Sequence, residues 1–169
     1  MKNLIYLQAL LITIASFAQE RGFHSINDMS ADEPRFSFGA TKHRSASISL
    51  GDINNDGKID AVVANGRHWP ETNYIFYNSG KGFNSMIALD NLSSTSYATK
   101  LVDIDNDSDL DIIEINDNAP HKIYTNDGLG HFKFHSEVGE ISNARNGSLG
   151  DLDNNGFVDF IITNRGQQN

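Results

Sequence analysis

Three stretches of this chain place an oxygen-bearing side chain on alternate residues, a pattern that severely limits how the backbone can fold. They read DINNDGKIDAVVAN from Asp52, DIDNDSDLDIIEIN from Asp103 and DLDNNGFVDFIITN from Asp151, with starts 51 and 48 residues apart. Counted from each start, positions 1, 3, 5 and 9 are Asp52, Asn54, Asp56 and Asp60, then Asp103, Asp105, Asp107 and Asp111, then Asp151, Asp153, Asn155 and Asp159. In the middle copy five aspartates alternate from Asp103 to Asp111, close enough to repel one another strongly. Position 2 is always aliphatic (Ile53, Ile104, Leu152), and so is position 8 (Ile59, Leu110, Val158). Position 14 is always Asn (Asn65, Asn116, Asn164). A solvated acidic run has no reason to keep its apolar positions in register. The three copies are one unit repeated.

Oxygen donors at positions 1, 3, 5 and 9 around a turn at position 6 match the chemistry of a calcium loop. Ca²⁺ takes about 6–8 oxygens at roughly 2.3–2.6 Å and tolerates irregular geometry. The backbone carbonyl at position 7 (Lys58, Asp109, Phe157) can complete the set. The expected cofactor is therefore Ca²⁺, up to three ions. Gly57 and Gly156 hold position 6, where left-handed backbone is cheap for glycine. Ser108 holds it in the middle loop, at an expected cost of about 1 kcal/mol. That loop also mimics an EF-hand, with Glu114 at position 12, but the other copies have Val63 and Ile162 there. The segments leaving the loops (IDAVVAN, LDIIEIN, VDFIITN) are short, apolar and bounded by Asn, which predicts strands where an EF-hand needs helices. The EF-hand reading fails.

Between the loops, YIFYNSGKGF from Tyr74 aligns with KIYTNDGLGHF from Lys122, Asn78 matching Asn126 and Gly80 matching Gly128. Both predict a strand, a glycine hairpin and a strand opening on Phe. Each unit of about 50 residues then holds four strands, as in a propeller blade. The expected fold class is all-β, a partial β-propeller of four-stranded blades in about two and a half repeats. On these motifs the chain resembles the FG-GAP/VCBS repeat family, whose best-known members form the β-propeller of integrin α chains. The resemblance runs from about Ser47 to Asn169 and departs from the family signature at Ser108 and Asn155. The second departure lowers the affinity expected of the third loop. The resemblance implies calcium loops on one face and ligand binding on the other. It assigns to that other face Gly66 to Thr72 with Asp117 to Pro120, and Leu89 to Tyr97 with Glu140 to Asn146. Arg67, His68 and Trp69, in GRHWPET, are the candidate ligand contacts. A seven-bladed ring at this period needs roughly 350 residues, so the chain reads as part of a longer protein.

Lys2, the apolar run Leu4 to Phe17 and the small residues Ser16 and Ala18 predict an export signal cleaved near Ala18. The run covers 14 residues, short of the ~20 that cross a bilayer. The chain thus divides into a signal (1–18), a lead-in (19–46) and repeats (47–169) with loops at 52–60, 103–111 and 151–159. The mature protein is expected to be secreted, periplasmic or at the cell surface, with no membrane span. A net charge of -9 argues against nucleic acid and anionic membranes as partners. With no cysteine, thiolate chemistry is excluded. Six histidines (His24, His43, His68, His121, His131, His135) show no metal-ligand spacing, and no phosphate loop or nucleophile elbow is present. The expected function is a non-catalytic, calcium-binding module for a protein or glycan ligand. The alternative is the propeller part of a larger secreted hydrolase whose catalytic domain lies outside this chain.

Overall fold

The computed structural model describes residues 42–166. The expected export segment, with cleavage expected near Ala18, the lead-in as far as residue 41, and residues 167–169 lie outside the described residues. Ten strands follow one another: β1 (Ser45–Gly51), β2 (Asp60–Asn65), β3 (Tyr74–Asn78), β4 (Phe83–Ala88), β5 (Ser96–Val102), β6 (Asp111–Asn116), β7 (His121–Asn126), β8 (Phe132–Val138), β9 (Ala144–Gly150) and β10 (Asp159–Asn164). They form antiparallel sheets in the order β1-β2-β3-β4 and β5-β6-β7-β8, with β9 and β10 as a two-stranded third. Four strands per unit is the predicted organisation, and the fold is an all-β array of partial propeller blades. No helix of the described residues is long and apolar enough to cross a membrane.

The acidic loops fix the register. Each one closes between the last residue of the strand before it and the aspartate at position 9, pairing Gly51 with Asp60, Val102 with Asp111 and Gly150 with Asp159. At the far end of each strand pair the register slips by a residue, between Ser45 and Ser47, between Ser96 and Ala98, and between Thr163 and Asn164. In the first two repeats the residue paired with the Asn at position 14, beside the slip, is a serine whose hydroxyl reaches that Asn: Ser45 Oγ lies 2.8 Å from Asn65 Oδ1 and Ser96 Oγ 2.9 Å from Asn116 Oδ1. The same asparagines donate to Thr72 O and Pro120 O, each at 2.9 Å. Position 14 therefore pins the turn between the second and third strands of a unit.

Alternation along each strand distributes the core. On β2, Ala61 and Val63 pack with Phe76 on one face, while Val62 joins Ile75, Ile53, Ile112 and Tyr124 on the other. On β6, Ile112 belongs to that same cluster, and Ile113 and Ile115 join Ala98, Ile123 and Ala144 in the next. β2 and β6 are thus each shared by two cores, which explains why they are buried at every position. Burying a Val or Ile side chain this way contributes about 1.5–3 kcal/mol. β10 differs from β2 and β6 in its burial. Phe160 and Ile162 pack against the second-unit core, but Ile161, on the opposite face, is half exposed.

Candidate metal centres

Each loop is built by backbone N–H groups donating to its own carboxylates. The aspartate at position 1 accepts from positions 5 and 6: Asp52 from Asp56 N (3.1 Å) and Gly57 N (2.8 Å), Asp103 from Asp107 N (3.1 Å) and Ser108 N (2.9 Å), Asp151 from Asn155 N (3.0 Å) and Gly156 N (2.9 Å). Position 5 accepts from position 7, at 2.9, 2.9 and 2.8 Å for Asp56, Asp107 and Asn155. Position 9 accepts from position 2, so that Asp60, Asp111 and Asp159 close the loops onto Ile53, Ile104 and Leu152. The second oxygen of Asp60 and of Asp111 accepts from Asn78 N (2.7 Å) and Asn126 N (2.9 Å), tying the loop to the end of the third strand. One carboxylate thereby joins three segments of a unit.

The path requires left-handed backbone twice per loop. Position 6 has φ 81°, 76° and 87° at Gly57, Ser108 and Gly156. Position 4 has φ 57°, 61° and 58° at Asn55, Asn106 and Asn154. The sequence reading missed position 4, although its signal was present: all three copies carry Asn, the non-glycine residue most at ease there. Ser108 carries the expected strain. Ser108→Gly should stabilise the protein by about 0.5–1 kcal/mol, the strain relieved less the entropy that glycine adds to the unfolded chain. Urea denaturation checks this, and an unchanged or lower midpoint would contradict it.

The loops bring the expected donors together unequally. Oxygens of Asp103, Asp105 and Asp111 lie within 4.8 Å of one another, as do those of Asp151, Asp153 and Asp159. Asp107 is not in that group, and in the first loop the same three places hold only two carboxylates, Asp52 and Asp60, because position 3 is Asn54. In the first loop a cation is already present, because Lys58 Nζ lies 2.8 Å from Asp56 Oδ2 and holds that carboxyl below its usual range. At position 7 of the second loop the Asp109 side chain turns outward to accept from Asn55 of the first loop at 2.8 Å. Burial pushes Asp60 and Asp111 up, with the neighbouring loop carboxylates adding to the shift. Like charges, oxygen-only donors and two buried carboxylates make these clusters suited to a hard cation.

The far ends of the strands carry the other candidate residues. β2 runs from position 9 to position 14, so the turn after it lies roughly 17 Å from its loop. There Arg67 and His68 are exposed, and Trp69 is 63% exposed with the Arg44 guanidinium 5.9 Å from its ring centre. Bridges between Gly66 and Ser96, Glu71 and Ser94, and Asp117 and Asn143 join the segments assigned to this face in two pairs, and Asp117 N donates to Thr95 O at 2.9 Å to link the pairs. His68 Nδ1 lies 3.1 Å from the buried Asp117 carboxylate, and its Nε2 lies 2.9 Å from Tyr97 Oη. Arg145 Nη1 approaches the other Asp117 oxygen at 2.7 Å, as a charge contact rather than an aligned hydrogen bond, and stacks 4.2 Å from the Tyr97 ring centre. Beside them opens a cleft of about 440 Å³ lined by Pro70, Thr95, Asp117, Lys122 and Glu137 among others.

Of the histidines, His131 and His135 are exposed, and His121 is buried with Nδ1 accepting from Asn116 N at 3.2 Å. Burial pushes the His121 imidazole down from its usual value, and its part in the fold was not foreseen.

No curated protein matches the chain. A family model described as FG-GAP-like repeat matches residues 52–114 and again residues 103–162. Each match opens on position 1 of an acidic loop and runs through the following unit into the strand after the next loop. The repeat defined by loop register and strand order is thus the repeat of that family, and the chain belongs to the FG-GAP-like repeat family.

Proposed function

We propose that this chain is an exported, non-catalytic β-propeller module that binds calcium in its acidic loops and a protein or glycan ligand on the opposite face. The observation that carries the calcium reading is the recurrence of one hydrogen-bonded frame in three loops, with an oxygen trio in two of them. A bound Ca²⁺ supplies charge that offsets carboxylate repulsion. The residues that hold it are Asp52, Asn54, Asp56 and Asp60 in the first loop, Asp103, Asp105, Asp107 and Asp111 in the second, and Asp151, Asp153, Asn155 and Asp159 in the third. The carbonyls of Lys58, Asp109 and Phe157 assist. Arg67, His68 and Trp69 form the ligand contacts, supported by their exposure at the far strand ends beside the Asp117 cleft.

Sites of this extracellular kind bind at about 10⁻⁴–10⁻³ M, so millimolar calcium contributes about 1 kcal/mol per weak site. The second loop has four ligand carboxylates against three in the third and should dominate. Calorimetry is expected to show calcium-dependent heat that magnesium reproduces poorly, because Mg²⁺ demands a tighter octahedron. Asp105→Ala should reduce the calcium-dependent melting shift more than Asp153→Ala does. Equal heat from both ions, or no heat from calcium, would overturn the reading.

A further inference from the structure

The chain contains three Asn-Gly steps, Asn65–Gly66, Asn146–Gly147 and Asn155–Gly156. Such a step is chemically weak because the nitrogen after Asn can reach the side-chain amide carbon with no Cβ in the way. The structure makes the three unequal. Asn65 is buried, its amide held at both ends by Thr72 O and Ser45 Oγ, and Gly66 N donates to Arg44 O at 3.0 Å. Asn146 lies in extended β9, and its Gly147 is buried in register with Ile162, where an added Cβ would meet Ile161 O at 2.8 Å.

Asn155 differs from both. Like Asn146 it is exposed, but it sits in a turn, at position 5 of the third loop, and its Oδ1 accepts from Phe157 N at 2.8 Å, where Asn146 Oδ1 accepts from its own Gly147 N at 2.9 Å. That bond folds the carboxamide back across the Gly156 peptide and polarises its carbonyl. Gly156 N donates to Asp151 Oδ2 at 2.9 Å, and a Cβ at Gly156 would meet nothing within 4 Å. Electrophile, nucleophile and proton acceptor share one open turn.

We propose that Asn155–Gly156 is a site of spontaneous deamidation whose rate a cation in the third loop controls. Gly156 N gives up its proton to Asp151 or to solvent and attacks Asn155 Cγ. The N–Cγ bond forms, the Cγ–Nδ2 bond breaks, and the NH2 group takes up one proton, balancing the one lost from Gly156 N, and leaves as ammonia. Water then opens the succinimide at one of its two carbonyls, giving aspartate or isoaspartate, with no change of oxidation state. Opening to aspartate gives the third loop a carboxylate at position 5, as Asp107 gives the second. Opening to isoaspartate lengthens the backbone by a methylene and spoils the frame in which position 1 accepts from positions 5 and 6. The cation control rests on the calcium reading above: an ion drawn to Asp151 and Asn155 Oδ1 occupies the proton acceptor and fixes the carboxamide.

The test incubates the full chain at mildly alkaline pH with calcium or with chelator and follows each Asn-Gly peptide by mass spectrometry. In chelator the Asn155 peptide should convert fastest of the three, and Asn155→Gln should abolish that conversion. Calcium at about ten times the site's Kd should slow it about tenfold, the factor by which the free loop is depopulated. Conversion in chelator that is no faster at Asn155 than at Asn146 would overturn the site. Preferential conversion at Asn155 that proceeds equally with and without calcium would uphold the site and overturn the cation control, and calorimetry comparing the wild type with Asp153→Ala then shows separately whether the third loop binds calcium.

Discussion

Asp111→Ala is expected to lower the melting temperature by roughly 10 °C even with chelator present, from a loss of about 3 kcal/mol. Asp111 is fully buried, and its two oxygens accept from Ile104 N and Asn126 N, each at 2.9 Å. Alanine leaves both donors unpaired, at about 1–3 kcal/mol each. Asp111→Asn separates this framing role from any role in metal binding. Its one oxygen keeps one of the two bonds, and it removes a charge whose burial, together with Asp105 and Asp107, pushes the carboxyl up. With the folded value raised, the part of the metal-free stability that depends on protonating Asp111 is fully present below the usual 3.8 and is lost as pH rises through the raised value, which leaves the two hydrogen bonds offset in part by a buried charge. At neutral pH, then, the Asn variant should lose less than the Ala variant in chelator and yet fail to gain from calcium at the second loop. Melts of the wild type and both variants, each with calcium and with chelator, decide between the roles. An Ala variant that melts with the wild type in chelator would remove the framing role, and an Asn variant with an undiminished calcium shift would remove the metal role.

Much of this arrangement was legible because the repeat exposes its own constraints. Asp52, Asp103 and Asp151 stand at equal places in three copies, and so do the apolar residues beside them, so register, strand order and candidate donors could be read together. What could not be read depends on contacts between copies. Asn126 Nδ2 donates to Ile53 O, 73 residues away, at 2.8 Å, and Asp109 accepts from Asn55 across 54 residues. Neither pairing leaves a local pattern. Side-chain direction was hidden as well. Position 7 was read for its carbonyl, yet the Lys58 ammonium turns onto Asp56 and the Asp109 carboxylate turns out of its loop. Position 14 was visible as an invariant Asn, but its purpose required the serines paired with it beside each register shift, Ser45 and Ser96, to be seen.

Glu114 is the residue whose part changed most between sequence and structure, and Glu114→Ala should cost about 3–5 kcal/mol. As position 12 of the middle copy it imitated the last ligand of an EF-hand. In the fold it turns away from the loop into the contact between the first two sheets, 1% exposed. Asn73 of the first unit donates to Oε2 at 2.7 Å, and Asn116 donates to Oε1 at 2.8 Å. Lys122 Nζ sits 3.6 Å from Oε1 and 3.7 Å from Asp90 Oδ2, and Tyr124 Oη reaches Asp90. Burial, reinforced by the Glu114 charge, pushes the Tyr124 hydroxyl far above its usual value, so it stays a donor here. Removing Glu114 leaves an ammonium and two amides without their central acceptor. The equivalent cross-strand pair in the first unit is apolar, Val63 opposite Tyr74, where the second has Glu114 opposite Lys122. Glu114→Val combined with Lys122→Tyr should therefore recover at least half of the loss, since a buried ion pair replaced by packed apolar groups is often neutral or stabilising by about 1–4 kcal/mol. Asn73 retains Ser96 Oγ at 2.8 Å and Asn116 retains Pro120 O at 2.9 Å in that variant. Urea denaturation of both variants measures the difference. A loss below about 1 kcal/mol in Glu114→Ala would mean the network is slack. No recovery in the double variant would mean that the polar contacts themselves hold the sheets together. Recovery would mean that Glu114 governs which two sheet faces meet, a choice that apolar packing alone leaves open.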